Sequence, residues 1–212
     1  MPRTSFAVFI ALIALLAAQP AFAHHALMPG QPLHFELAFI SGIAHPMINF
    51  EHFAYVVAIG VLAAVGQGSK FLPFWFVAGT ILGCLMAVSG FVIPYDKWLI
   101  LVALVVIGAA LVWGRQRLGI VDIGAFLVTG VLHGSVYAES IIGNVTSSVA
   151  GYLLGFAIIQ TVVATGAMYA AYALWRGDKL YENARVIGGA VAGVGLTIIG
   201  QGLVQALLPV AA

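Results

Sequence analysis

The chain has 212 residues, of which 63% are hydrophobic and only 7% are charged. Soluble globular domains carry about 25% charged residues, so this composition predicts an integral membrane protein and excludes an ordinary soluble domain. A net charge of +1 without a basic patch argues against a nucleic-acid partner. The single cysteine excludes an intrachain disulfide and a thiolate-rich metal site within one chain.

Residues 1–23 have the pattern of a secretory signal peptide. Arg3 supplies the positive start, an apolar run follows, and Ala21-Phe22-Ala23 forms a small-residue cleavage site. An uncleaved first transmembrane helix is the alternative, but the apolar run is short for a hydrocarbon core about 30 Å thick. We therefore expect cleavage after Ala23.

Cleavage would leave residues 24–212 as the mature chain, beginning with His24 and His25. A free amino group beside two neutral imidazoles can hold a divalent cation at neutral pH. A disordered polar N-terminus is the plainer interpretation of the same residues.

Six apolar segments follow, each long enough to cross a bilayer. They lie at 48–66, 71–93, 98–114, 119–139, 148–175 and 186–208. The expected fold is all-α, a polytopic six-helix transmembrane bundle whose backbone polar groups are satisfied within helices. A shorter segment, 33–46, is predicted as an interfacial or re-entrant helix that ends near Pro46. The motifs Gly151-x-x-x-Gly155 and Gly189-x-x-x-Gly193 predict close approach between helices.

The charges of the loops predict the orientation. The loops after the first, third and fifth segments contain six basic residues: Lys70, Arg115, Arg117, Arg176, Lys179 and Arg185. The opposite loops contain Lys97 as their only basic residue. The positive-inside rule then places the six-charge side in the cytoplasm and both mature termini outside, which is the periplasm for a bacterial inner membrane.

Two polar clusters fall at the same predicted depth, near the outer face. His45, Glu51 and His52 lie at the start of the first segment, and His133 and Glu139 lie at the outer end of the fourth. Ionisable groups at membrane depth are costly, so they are candidates for a functional site. Imidazole with carboxylate suits Ni²⁺, Co²⁺ or Zn²⁺, and a divalent transition-metal ion is the expected ligand.

Helix geometry limits this hypothesis. His45 and His52 would lie about 10.5 Å apart along an unbroken helix, so they can share an ion only if the chain bends near Pro46. Asn49 and Tyr137 are predicted to hold the histidines in place from a second layer. The plainer interpretation is that the histidines are hydrogen-bonded interfacial residues and that Glu139 marks the end of a helix.

At these residues the chain resembles the HupE/UreJ family of bacterial nickel and cobalt permeases. The family motif His-Pro-x-x-Gly-x-Asp-His is similar to residues 45–52, and His-Gly-x-x-x-x-Glu is similar to residues 133–139. The resemblance implies a signal peptide, about six transmembrane helices and transport of Ni²⁺ or Co²⁺ into the cytoplasm. Asn49 and Glu51 replace the family glycine and aspartate, which leaves the identity of the metal open.

Other functions remain as alternatives to transport. A membrane metal sensor or assembly factor would bind an ion without moving it, and paired histidines could also hold haem. An intramembrane zinc hydrolase would need the spacing H-E-x-x-H, which is absent, so we do not expect an enzyme. The lipid bilayer and a metal ion are the expected partners, and a homo-oligomer remains open.

Overall fold

A computed structural model describes residues 34–66, 70–114 and 119–208, and every regular element in those ranges is helical. The described residues form seven α-helices: α1 (Phe35–Ile48), α2 (Phe50–Val65), α3 (Leu72–Val88), α4 (Asp96–Trp113), α5 (Ile120–Tyr137), α6 (Thr146–Leu174) and α7 (Asp178–Leu207). A short 3₁₀ turn, Ala138–Ser140, continues from α5. The predicted all-α class is therefore confirmed for this part of the chain.

A sharp break at Asn49 separates α1 from α2. Asn49 has an extended backbone, with φ −83° and ψ 106°, and the two helices meet at 80°. Pro46 lies inside α1, where it has no N–H to donate to the carbonyl of Gly42, and this weakens the last turn. The helix nevertheless continues to Ile48, so the break falls three residues beyond the proline near which it was predicted.

Among the described helices, close contacts at glycines join four pairs: α1 with α6, α2 with α6, α3 with α5, and α4 with α7. A Cβ added at Gly134 of α5 would lie 2.1 Å from the carbonyl oxygen of Thr80 in α3. A Cβ added at Gly155 of α6 would lie 2.1 Å from the carbonyl oxygen of Phe39 in α1. In both pairs, the backbones approach each other more closely than any larger residue would allow.

The two predicted small-residue motifs behave differently. Gly151 and Gly155 both face the backbone of α1, so the close approach predicted there is confirmed. Gly189 and Gly193 have no atom of the described residues within 4 Å of an added Cβ, so the prediction is wrong for this motif. Gly188, on another face of α7, makes the close contact with α4 instead.

Helix α2 lies at the centre of the bundle, and twelve of its 16 residues are buried. Residues 58–65 are all buried among apolar side chains of neighbouring helices, including Leu104 and Leu111 of α4. Apolar packing therefore fills one end of the bundle, whereas His52 marks the other end of α2.

The six predicted apolar segments correspond in position to helices α2–α7. By length and composition, four helices in the described ranges could cross a membrane, or up to five if the bent α1–α2 pair counts as one span. Helix α3 has only 17 residues, about 26 Å at 1.5 Å per residue, and is apolar but short. A bundle of six spans therefore stays a prediction.

Helix α7 begins eight residues before the predicted segment 186–208. Its first turns carry Asp178, Lys179 and Glu182, and this charge suggested a loop. The charged residues instead form the exposed start of a long helix whose apolar part follows.

Candidate metal site

The break at Asn49 brings the two histidines of the first cluster together. His45 lies in the last turn of α1 and His52 in the first turn of α2, on the two arms of the 80° bend. Their ring centroids are 6.2 Å apart. The bend that the site hypothesis required is therefore present, although Asn49 rather than Pro46 forms it.

Helix α5 adds a third imidazole from a distant part of the sequence. The ring centroid of His133 lies 5.4 Å from that of His52, and only 1% of His133 is exposed. The Nδ1 atom of His133 lies 2.8 Å from the carbonyl oxygen of Thr129. A carbonyl only accepts, so Nδ1 carries the hydrogen, and the neutral imidazole keeps a lone pair on Nε2.

Tyr137 lies among the three imidazoles, one turn beyond His133 on α5. Its ring centroid is 4.6 Å from His52, 5.1 Å from His45 and 6.3 Å from His133. We use the term histidine cluster for His45, His52 and His133. Tyr137 is fully buried, so its ring forms a wall of the histidine cluster.

His52 has an unsatisfied polar atom. Its Nδ1 is buried and has no hydrogen-bond partner among the described residues, and only 2% of His52 is exposed. On the other side of the ring, Nε2 lies 4.0 Å from Oε1 of Glu51, whose side chain is 32% exposed. The carboxylate of Glu51 thus connects a buried imidazole with the surface.

Asn49 and Tyr55 surround the cluster. Nδ2 of Asn49 lies 3.1 Å from Nε2 of His45, so the amide donates to this ring nitrogen. The second-layer role around an ion that the sequence suggested for Asn49 stays a prediction. The ring of Tyr55 packs against His133 at a centroid distance of 4.4 Å.

Glu139 lies apart from the histidine cluster. It occupies the 3₁₀ turn after α5, its side chain is 52% exposed, and Oε1 forms an ion pair with Nζ of Lys97 at 2.9 Å. Helical geometry explains this position, because Glu139 is six residues beyond His133 and points to a different side of the chain. The structure therefore does not bring the second predicted carboxylate to the imidazoles.

The three imidazoles converge without forming a complete metal site. In the ranges that the structure describes, no three His, Cys, Asp or Glu side chains are arranged so that they could hold a metal ion. Ligand nitrogens lie about 2.0–2.1 Å from a zinc-type ion, so the three rings would have to turn their nitrogen atoms toward one common point to share an ion. His24 and His25 lie outside the described residues.

The sequence interpretation missed a buried polar group behind the cluster. Gln160, in the middle of apolar helix α6, donates from Nε2 to the hydroxyl of Tyr137 at 3.3 Å and accepts from the hydroxyl of Thr80 at 3.1 Å. A lone amide in a run of 29 mostly apolar helical residues was the available signal. Such a residue costs free energy in an apolar setting unless it is hydrogen-bonded.

The fold and the cluster define an α-helical protein of the membrane-spanning type, with buried histidines at one end of its central helix. The family model described as HupE / UreJ protein matches residues 12–198. The chain therefore belongs to the HupE/UreJ family, a transporter-type family associated with nickel and cobalt. Neither the comparison with curated proteins nor that with solved structures found a match.

Proposed function

We propose that the protein is a permease that carries Ni²⁺ or Co²⁺ from the periplasm to the cytoplasm. The observation that carries the proposal is the meeting of three imidazoles, from two distant stretches of sequence, at one end of the central helix. Membership of the HupE/UreJ family supports the same conclusion. The ion is the transported substrate and not a permanent cofactor.

The chemistry of the histidine cluster fits such a substrate. The lone pair on Nε2 of His133 is available because Nδ1 donates to Thr129. Nδ1 of His52 has no partner among the described residues, and leaving such a buried nitrogen unbonded costs about 1–3 kcal/mol, a penalty that an ion or water at this atom would relieve. Imidazole nitrogens with one carboxylate suit Ni²⁺ and Co²⁺, and Zn²⁺ is the competitor to include in tests.

Access to the cluster requires a conformational change. His52 and His133 are almost fully buried, so the structure corresponds to a closed arrangement of this end of the bundle. His24 and His25 of the mature N-terminus would capture the ion outside, and the partly exposed Glu51 would then be the first group of the site to receive it. A transport site must bind well enough to remove water from the ion yet still release it.

The proposed topology has a cleaved signal peptide at 1–23 and six spans in 24–212, in a bacterial inner membrane. The basic residues of alternate loops support a cytoplasmic position for the apolar end of α2 and a periplasmic position for the cluster. A membrane potential, negative inside, would then contribute about 4.6 kcal/mol per 100 mV to the inward movement of a divalent cation.

Uptake of radioactive Ni²⁺ and Co²⁺ into cells tests the proposal. We expect His52→Ala and His133→Ala each to lower uptake at least about 10-fold, because outer-layer changes alone cost 10–100-fold in metal sites. His34→Ala is the matched control, since this exposed histidine at the start of α1 lies outside the cluster. Protein levels in the membrane are measured for every variant. Wild-type uptake by both cluster variants would overturn the site, and absence of uptake by the wild type would overturn transport.

A binding protein that does not transport is the second candidate, and the closed cluster is the observation that favours it. Proteoliposomes containing a metal-sensitive dye separate the two functions. An increase in the dye signal with external Co²⁺ supports the permease, whereas bound Co²⁺ without a signal supports a sensor or assembly factor.

A further inference from the structure

Gln160 is a buried polar residue that belongs to no part of the proposed ligand set. It is 1% exposed and lies near the middle of α6, a helix of 29 residues. Both ends of its amide are hydrogen-bonded, to Thr80 of α3 on one side and to Tyr137 of α5 on the other. The amide therefore joins three helices across the interior of the bundle.

The hydrogen bond from Gln160 fixes the position of the hydroxyl of Tyr137. Gln160 holds the hydroxyl at 3.3 Å, and the hydroxyl of Tyr152 donates to the backbone carbonyl of Tyr137 at 3.1 Å. Both ends of the residue are thus held by α6, while the ring between them packs against His45 and His52. The position of the wall of the histidine cluster depends on α6.

We propose that Gln160 is a positioning residue for the ion site, acting through Tyr137; this inference rests on the proposed function. With Gln160 removed, the buried hydroxyl of Tyr137 has to find another partner. The adjacent His52 offers a buried nitrogen without one. Movement of the phenol toward that nitrogen would disturb the ring that an incoming ion has to meet.

Stability alone does not account for the amide. Replacing both partners of a hydrogen bond by apolar groups of the same shape can be nearly neutral, so an apolar set in place of Thr80, Gln160 and the hydroxyl of Tyr137 could fill the same space. A polar chain from Thr80 through Gln160 to Tyr137 instead specifies one arrangement of α3, α5 and α6, because each bond has a direction.

The test measures Co²⁺ binding to the full-length protein purified in detergent, with the visible d–d absorption of Co²⁺ as the reporter of its coordination. We expect Gln160→Leu to weaken binding about 10-fold and to change the absorption spectrum, as loss of an outer-layer contact does in other metal sites. Thr165→Val is the matched control on α6, because the hydroxyl of Thr165 bonds to the carbonyls of Thr161 and Val162 in its own helix. This control should bind Co²⁺ like the wild type.

Tyr137→Phe removes the hydroxyl but keeps the ring, and it completes a double-mutant cycle. Gln160→Leu should have little further effect in the Tyr137→Phe background, since the contact through which it acts is already absent. Additive effects would overturn the inference, as would wild-type affinity and spectrum in Gln160→Leu. Should Gln160→Leu fail to fold, Thr80→Val replaces it in the cycle, with a smaller shift in the same direction expected.

The same measurements distinguish the inference from the function on which it rests. Loss of Co²⁺ binding in His52→Ala, with wild-type binding in Gln160→Leu, rejects the role of Gln160 and leaves the ion site intact. Absence of Co²⁺ binding by the wild type rejects both.

Discussion

Two glutamates that looked equivalent in sequence occupy contrasting surroundings. Glu51 lies at the edge of the histidine cluster, with its carboxylate 4.0 Å from the imidazole of His52. Glu139 lies on the surface, where its carboxylate pairs with Lys97 at 2.9 Å. Each was predicted as a metal ligand because it lies with a histidine at the same predicted depth, near the outer end of an apolar segment.

The difference shows that a shared predicted depth does not by itself define a site. Two contacts near Glu139 join the start of α4 to the end of α5. One is the Lys97–Glu139 ion pair. The other is a hydrogen bond of 2.7 Å that Asp96, next to Lys97, accepts from the hydroxyl of Ser135. An exposed ion pair contributes only about 0.2–1 kcal/mol, so this region is a weak surface contact. Beside Glu51, by contrast, Nδ1 of the buried His52 has no hydrogen-bond partner among the described residues.

The largest loss of metal uptake is expected at Gly134, where α5 packs against α3 next to the buried His133. Gly134 follows His133, and a Cβ there would lie 2.1 Å from the carbonyl oxygen of Thr80. Gly134→Ala must therefore push α5 away from α3 and displace His133. We expect metal uptake at background level and less folded protein in the membrane, measured by uptake and by thermal unfolding in detergent.

Gly124→Ala is the control on the same helix, because no neighbouring element of the described chain lies within 4 Å of an added Cβ there. Alanine favours helix over glycine by about 1 kcal/mol, so this variant should be at least as stable as the wild type. Equal behaviour of the two variants would contradict the close packing of α3 and α5.

The helices and the meeting of the histidines could be predicted from the sequence, because apolar runs mark the helices and the count of loop charges gives their direction. Apolar runs located α2–α7, and loop charges predicted one depth for residues 45–52 and 133–139. The bend was required by the spacing of His45 and His52. Its position at Asn49 was not predictable, because Pro46 weakens a turn without fixing which residue leaves the helix.

Partners distant in sequence had no local signal. Lys97 and Glu139 are 42 residues apart, and nothing in either segment indicates the ion pair. Gln160 is a different case, because a lone amide in an apolar helix is visible in the sequence and indicates a buried hydrogen-bond partner. Only the fold identifies that partner as Tyr137.

An intermediate effect on Co²⁺ uptake is expected at Glu51, whose carboxylate lies beside the histidine cluster. Glu51→Gln keeps the size of the side chain and removes its charge, so we expect the Co²⁺ concentration for half-maximal uptake to rise about 10–100-fold. Glu36→Gln is the matched control, since Glu36 is exposed in the first turn of α1. An unchanged concentration dependence in Glu51→Gln would remove the carboxylate from the proposed site and leave only imidazoles.

The smallest effect on uptake is expected at the surface ion pair of Lys97 and Glu139. Glu139→Gln and Lys97→Gln each break one exposed ion pair worth about 0.2–1 kcal/mol, so uptake should change by less than about 5-fold. Uptake curves measured in parallel with Glu51→Gln provide the comparison. If Glu139→Gln loses as much uptake as Glu51→Gln, while Lys97→Gln loses none, the carboxylate must leave Lys97 and meet the ion in another conformation. That result would make Lys97 a competitor of the ion for Glu139, and the two glutamates would then act in succession along one path.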